Sequence, residues 1–262
     1  MDAQPDPGSE PVVEPVQVGA DPAATAAAVE RPVRWGLGDV ALGLVVGLTL
    51  SSLLASLWLA ASGDSDLNLT GQALSEIGLW TGLVGAAVLA SRRKGRGTLR
   101  ADFGLRARWS DLALGPAVAV AVQIVVLPLV GLLLRPLLGQ PEVSGPVRDL
   151  MDKAGGGAFV GLVATVAVGA PIVEELFFRG LLLRSLQRRM PDGLAIALSS
   201  VAFGLAHAST LPADAVILVV VSLTIFGAVL ATLAVRTGRL GPGILAHATF
   251  NLFTVIYLAA TR

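Results

Sequence analysis

The sequence predicts an all-α fold, a polytopic transmembrane helical bundle of about seven to eight spanning helices. Three observations carry that expectation. Hydrophobic residues make up 54% of the 262 and charged residues 15%, where an ordinary soluble domain carries about 25% charged. Mean hydropathy is +0.74. The apolar residues fall in repeated runs near twenty long, the length a helix needs to cross hydrocarbon with its backbone polar groups satisfied internally.

The elements follow in chain order. Residues 1–33 are polar, Pro-rich and acidic with no early apolar stretch, which excludes a signal peptide and predicts a disordered cytoplasmic tail. Residues 34–262 form a single membrane domain. Its spanning candidates are 38–62, 72–91, 110–134, 157–183, 193–209, 212–235 and 241–260. The second and fifth are short or interrupted by polar residues. An eighth hydrophobic element, around 136–156, fits a short interfacial helix. Pro191-Asp192-Gly193 breaks the chain between the fourth and fifth, and Gly238 to Gly243, with Pro242, between the sixth and seventh. Lys and Arg concentrate in the second connection (Arg92, Arg93, Lys94, Arg96, Arg100, Arg106, Arg108), with Arg135, Arg148 and Lys153 in the third, Arg184, Arg188 and Arg189 in the fourth, and Arg236 and Arg239 in the sixth. The first and fifth hold none. That alternation puts the N-terminus inside and the C-terminus outside. Trp35, Trp58, Trp80 and Trp109 fall near span ends, where interfacial anchors belong. Zero net charge gives no sign of a nucleic-acid partner. The absence of cysteine excludes disulfides, thiolate zinc sites and cysteine nucleophiles.

Ionisable residues inside the apolar runs need a reason, since each costs roughly 2.5–3.5 kcal/mol to insert. The fourth candidate carries Glu174, Glu175 and Arg179. Glu175 and Arg179 are four apart and share a face, so each partly neutralises the other. Glu174 points about 100° away and remains available for chemistry. Both histidines of the chain also sit on apolar runs with a partner four residues off, Phe203 before His207 and Asn251 after His247. Taken singly, Phe203 reads as packing, His207 as a core histidine bonded to a carbonyl, and Asn251 as interhelical glue. Their joint placement in one half of the chain, on separate helices, reads instead as an assembled site. Three other polar residues have plain explanations: Glu76 near the outer surface, Asp39 at a helix start, and Gln123 as interhelical glue.

A carboxylate in an apolar site gains proton affinity and can act as general base near neutral pH. A histidine can position water or bind a metal, and a histidine with an asparagine amide can donate to a developing oxyanion. The set suits hydrolysis of a peptide bond in or beside a membrane. The chain has no His-Glu-xx-His and no Gly-x-Ser-x-Gly, and no serine stands beside either histidine in a recognisable motif.

Glu174-Glu175-Leu-Phe-Phe-Arg179, Phe203-Gly-Leu-Ala-His207 and His247-Ala-Thr-Phe-Asn251 resemble, in order, the three motifs of the CPBP intramembrane proteases. That family comprises type II CAAX prenyl endopeptidases, Abi proteins and bacteriocin-processing and self-immunity proteins. The resemblance covers a protease-like core at about residues 155–262. It implies a helical-bundle (metallo)endopeptidase opening toward the cytoplasmic side of a bacterial plasma membrane, with a membrane-associated peptide or protein as substrate. Glu174 would activate water with His207 assisting, His247 and Asn251 would form the oxyanion site, and Glu175, Arg179 and Phe203 would support them. A divalent metal such as zinc, held by Glu174, His207 and His247, and a metal-free glutamate mechanism are both open. Two non-proteolytic readings stand beside this one. One is an ion- or proton-coupled transporter component, the other a non-catalytic immunity or sorting partner. Helical rise leaves one tension: Glu174 lies about 15 Å from Arg184 and His247 about 9 Å from Gly241, but His207 about 21 Å from Gly193. The fifth helix is therefore expected to start deeper or to tilt.

Overall fold

The computed structural model describes residues 33–261 except 140, 142, 144, 155, 209 and 210. Residues 1–32, nearly all of the expected tail, lie outside the described residues. The helices are α1 (Leu37–Ser62), α2 (Leu69–Lys94), α3 (Leu99–Phe103), α4 (Asp111–Leu138), α5 (Gly145–Lys153), α6 (Gly157–Gln187), α7 (Asp192–Ala206), α8 (Val216–Thr237) and α9 (Gly241–Ala260). No strand occurs among the described residues. The fold is an all-helical membrane bundle, as the composition predicts, and the count changes. Among the described residues six helices are long and apolar enough to span: α1, α2, α4, α6, α8 and α9. The fifth candidate, α7, has 15 residues, about 22 Å at helical rise, short of the roughly 30 Å of hydrocarbon. The element expected near 136–156 is the nine-residue α5.

Small residues set the closest helix pair. Gly43 and Gly47 on α1 meet Gly78 and Gly82 on α2; a Cβ added at Gly82 would stand 2.2 Å from the Gly47 nitrogen, and one at Gly78 2.7 Å from the Leu50 carbonyl carbon. Backbones touch here because neither side carries a side chain, the usual solution where no hydrophobic effect drives association. Asn68 caps α2 by accepting from the N–H groups of Thr70 and Gly71.

Proline explains two of three wide turns. Five-residue π-helical stretches occur at Val122–Val126 in α4 and Thr165–Gly169 in α6. A proline clashes with the carbonyl four residues before it. For Pro128 that carbonyl belongs to Ile124, and for Pro171 to Ala167, each inside its π stretch. The third stretch, Glu175–Leu182, has no following proline; it carries the charged pair.

Polar ties fix the helix ends. Asp111, at the start of α4, accepts from Arg239 Nε at 3.1 Å and Nη2 at 2.5 Å, which anchors the connection ahead of α9. Asp39 at the start of α1 accepts from the Gly36 N–H and from Lys94 Nζ, beyond the dipole role expected of it. Gln123 is interhelical glue as expected, donating to the Phe250 carbonyl and Thr254 hydroxyl. The tryptophans divide. Trp109 is 89% exposed, as an interfacial anchor should be. Trp35 is buried and donates to Asp102 Oδ1 at 3.0 Å. Trp80, on α2, packs against α6, where a Cβ at Gly169 would meet its ring at 2.4 Å. Both are internal because a carboxylate and a bare Cα wait for them.

The depth tension disappears. α6 runs past Arg184 to Gln187, which puts Glu174 about 20 Å from its end, level with His207 about 22 Å above Asp192. His247 on α9 reaches the same level, its Nε2 standing 3.9 Å from the Glu174 carboxylate.

Candidate active site

Glu175 and Arg179 are buried on α6, with Arg179 Nη1 donating to Glu175 Oε1 at 2.8 Å. The second arm of the guanidinium, Nη2, donates to the Gly227 carbonyl of α8 at 3.2 Å, and its Cζ lies 4.2 Å from the Phe203 ring centroid. An arginine this deep needs that many partners. The same Glu175 oxygen faces His247 Nδ1 at 3.2 Å. A Cβ at Gly243 would stand 2.9 Å from the other Glu175 oxygen, so only glycine lets α9 approach this closely. Phe203, fully buried, stacks edge-on against both imidazoles at 5.0 and 5.6 Å.

Glu174 faces the other way, as the one-residue offset predicts. Its Oε2 is buried and has no hydrogen-bond partner among the described residues. His207 Nε2 and His247 Nε2 each stand 3.9 Å from it, too far for a direct hydrogen bond. The opposite ring atoms set the tautomers. His207 Nδ1 meets the Phe203 carbonyl at 2.9 Å and His247 Nδ1 meets Glu175, so both Nδ1 atoms are the donors. On each ring Nε2 is the nitrogen turned toward Glu174. A separation of 3.9 Å is too long for a direct bond and short enough for one bridging water.

Asn251 points elsewhere. Its Nδ2 donates to the Val166 carbonyl at 2.8 Å. Within the π stretch the Ala170 N–H bonds the Thr165 carbonyl. The next donor in that register is Pro171, which has none. Asn251 thus supplies the bond that the proline withholds. Beside it an apolar groove of about 480 Å³ runs between α6 and α9, lined by Phe159, Val163, Ala167, Ala248 and Leu252 among others.

The structure therefore brings Glu174, Glu175, Arg179, Phe203, His207 and His247 together, and gives Asn251 a bond to α6 beside them. It adds a residue that the sequence reading set at the outer surface. Glu76, on α2, acts electrostatically on Glu174 and His207 and is bonded by Trp80. The available signal was the pairing of an acid and a tryptophan four apart on one apolar run.

The donor types would suit zinc, two imidazole nitrogens and a carboxylate. Their spacing would not, since ligand atoms on tetrahedral zinc stand ~3.3 Å apart for bonds of ~2.0 Å, against 3.9 Å here. Among the described residues no group of three such side chains could hold a metal ion. No step below passes through one.

Residues 156–253 match the family model described as type II CAAX prenyl endopeptidase Rce1-like. The matched stretch contains all three motifs and bears out the resemblance read from them. No curated protein and no solved structure matches this chain.

Proposed function

We propose that this Rce1-like chain is an intramembrane endopeptidase that hydrolyses a peptide bond with a water activated by Glu174. The observation that carries the proposal is the buried Glu174 oxygen, without a hydrogen-bond partner among the described residues, facing two imidazole nitrogens, each 3.9 Å away. A water placed there has two protons, one for Glu174 and one for His207. Glu174 takes one as the oxygen attacks the scissile carbonyl, and His207 holds the other. The proton on Glu174 then passes to the leaving amine, so the carboxylate ends as it began. Negative charge gathers on the carbonyl oxygen in the transition state. In this scheme His247 enters the step already carrying a solvent-derived proton on Nε2, keeps it throughout, and with the second Nδ2 hydrogen of Asn251 stabilises that charge. Glu175 and Arg179 position His247 rather than touching substrate. The apolar groove beside Asn251 gives hydrophobic substrate residues a place to lie.

Purified protein reconstituted in liposomes, incubated with membrane-associated peptides including prenylated C-terminal ones, gives the test. New termini are read by mass spectrometry. The expected result is cleavage by the wild type and a loss of about 10²–10⁴-fold in Glu174→Gln with an unchanged melting temperature. Undiminished cleavage by that variant would remove the role given to Glu174. Full complementation of a deletion strain by it would assign the protein a binding role instead.

A further inference from the structure

We infer that the bundle end formed by α3, the α3–α4 connection and the last turns of α6 is a binding site for the phosphate of an anionic phospholipid headgroup. Arg184 of α6 is the floor. It is half-buried, and its Nε is buried without a hydrogen-bond partner among the described residues. Its guanidinium lies against Gly104, where an added Cβ would be 2.7 Å from Nη2, and that nitrogen donates to the Gly238 carbonyl. The charges that act on Arg184 are those of Arg106 and Arg96, both cationic, and no carboxylate is among them. Both flanking arginines are exposed, and Arg96 also donates to the Ala101 carbonyl at 3.2 Å. Acids elsewhere at this end are committed: Asp102 to Trp35 and Ser91, Asp111 to Arg239, and Asp39 to Lys94.

Arg106 and Arg184, like charges held together beside an unmade donor, call for an oxyanion, and guanidinium forks fit phosphate oxygens. The membrane is the source the surroundings favour. Trp109, three residues beyond Arg106, is 89% exposed, which marks headgroup depth. Polybasic clusters at that depth attract anionic lipid. The site also has a route to the chemistry. The Gly104 and Arg106 carbonyls accept from the Leu240 and Gly241 N–H groups, so a phosphate bridging Arg106 and Arg184 would clamp the start of α9, six residues ahead of His247.

The test uses the full chain in nanodiscs of phosphatidylcholine alone or with phosphatidylglycerol, with native mass spectrometry for retained lipid and a thermal melt. It needs no protease activity, so it stands or falls apart from the endopeptidase proposal. Wild type is expected to retain phosphatidylglycerol preferentially and to melt higher with it. Retention should fall about fivefold in Arg106→Gln and again in Arg184→Gln. Arg92→Gln, at the same end but outside the cluster, should leave it unchanged. Arg106 is exposed and its side chain carries no bond that folding needs, so it keeps the test valid if Arg184→Gln unfolds. Equal loss in Arg92→Gln, or no preference in the wild type, would overturn the site. Equal protection by inorganic phosphate in phosphatidylcholine nanodiscs would overturn the lipid as its source.

Discussion

Replacing Asn251 by alanine should destabilise the protein by an amount that a second substitution, on another helix, can return. The Asn251 amide fills the Val166 carbonyl at 2.8 Å, and the wide turn around that carbonyl ends at Pro171, which has no N–H. Asn251→Ala leaves the carbonyl unmet in an apolar setting, at a cost of about 1–3 kcal/mol. Pro171→Ala returns a donor in the π register, or lets the turn close to ordinary helix. The Asn251→Ala change should then cost at most ~1 kcal/mol, since a restored helical bond recovers most of the penalty. The assay is a double-mutant cycle by denaturant unfolding in micelles, with peptide cleavage measured on the same four proteins. If Asn251 also stabilises an oxyanion, activity stays low in the double variant although stability returns. An equal stability cost in both backgrounds would refute the account of Pro171 as the missing donor. Recovery of activity together with stability would reduce Asn251 to a brace.

Three further outcomes are expected. Arg179→Met strands the Glu175 carboxylate in a site with 0% side-chain exposure, and should cost about 3–5 kcal/mol; the Arg179→Met/Glu175→Gln pair should cost less than Arg179→Met alone, read by melts in micelles. Gly82→Leu forces a side chain into the Gly47 backbone and should separate α1 from α2, seen as lost crosslinking between cysteines placed at Ser51 and Ser75, whose hydroxyls now meet at 2.7 Å. Chelator treatment should leave cleavage intact, because the Glu174 and histidine atoms stand too wide for zinc; activity lost to chelator and restored by added zinc would show that the three groups close around an ion.

Most of the candidate site was legible because its spacing is local. Glu175 and Arg179 meet through the four-residue repeat of one helix, and Glu174 diverges from them by one residue's rotation. The motif order also foretold which helices would converge. What local spacing could not supply was the role of Asn251, because its partner lies 85 residues away and exists only through a proline's missing hydrogen. Glu76 was signalled only by its four-residue spacing from Trp80, since the charges it meets, Glu174 and His207, lie on α6 and just past α7. The expected outer-surface position for it followed from depth along α2 alone, and depth says nothing about which side faces the bundle.

The sequence by itself determined that this is a helical membrane protein and which six residues of α6, α7 and α9 would form one cluster, because apolar run length and helical periodicity are properties of contiguous residues. Only the tertiary structure decided how many helices reach spanning length, that Trp35 and Trp80 turn inward, and that the Glu174 oxygen stands 3.9 Å from each imidazole Nε2 rather than at ligand distance. Those outcomes depend on where glycines let backbones touch and where prolines widen turns. Such contacts join residues far apart in the chain, and no local pattern encodes them.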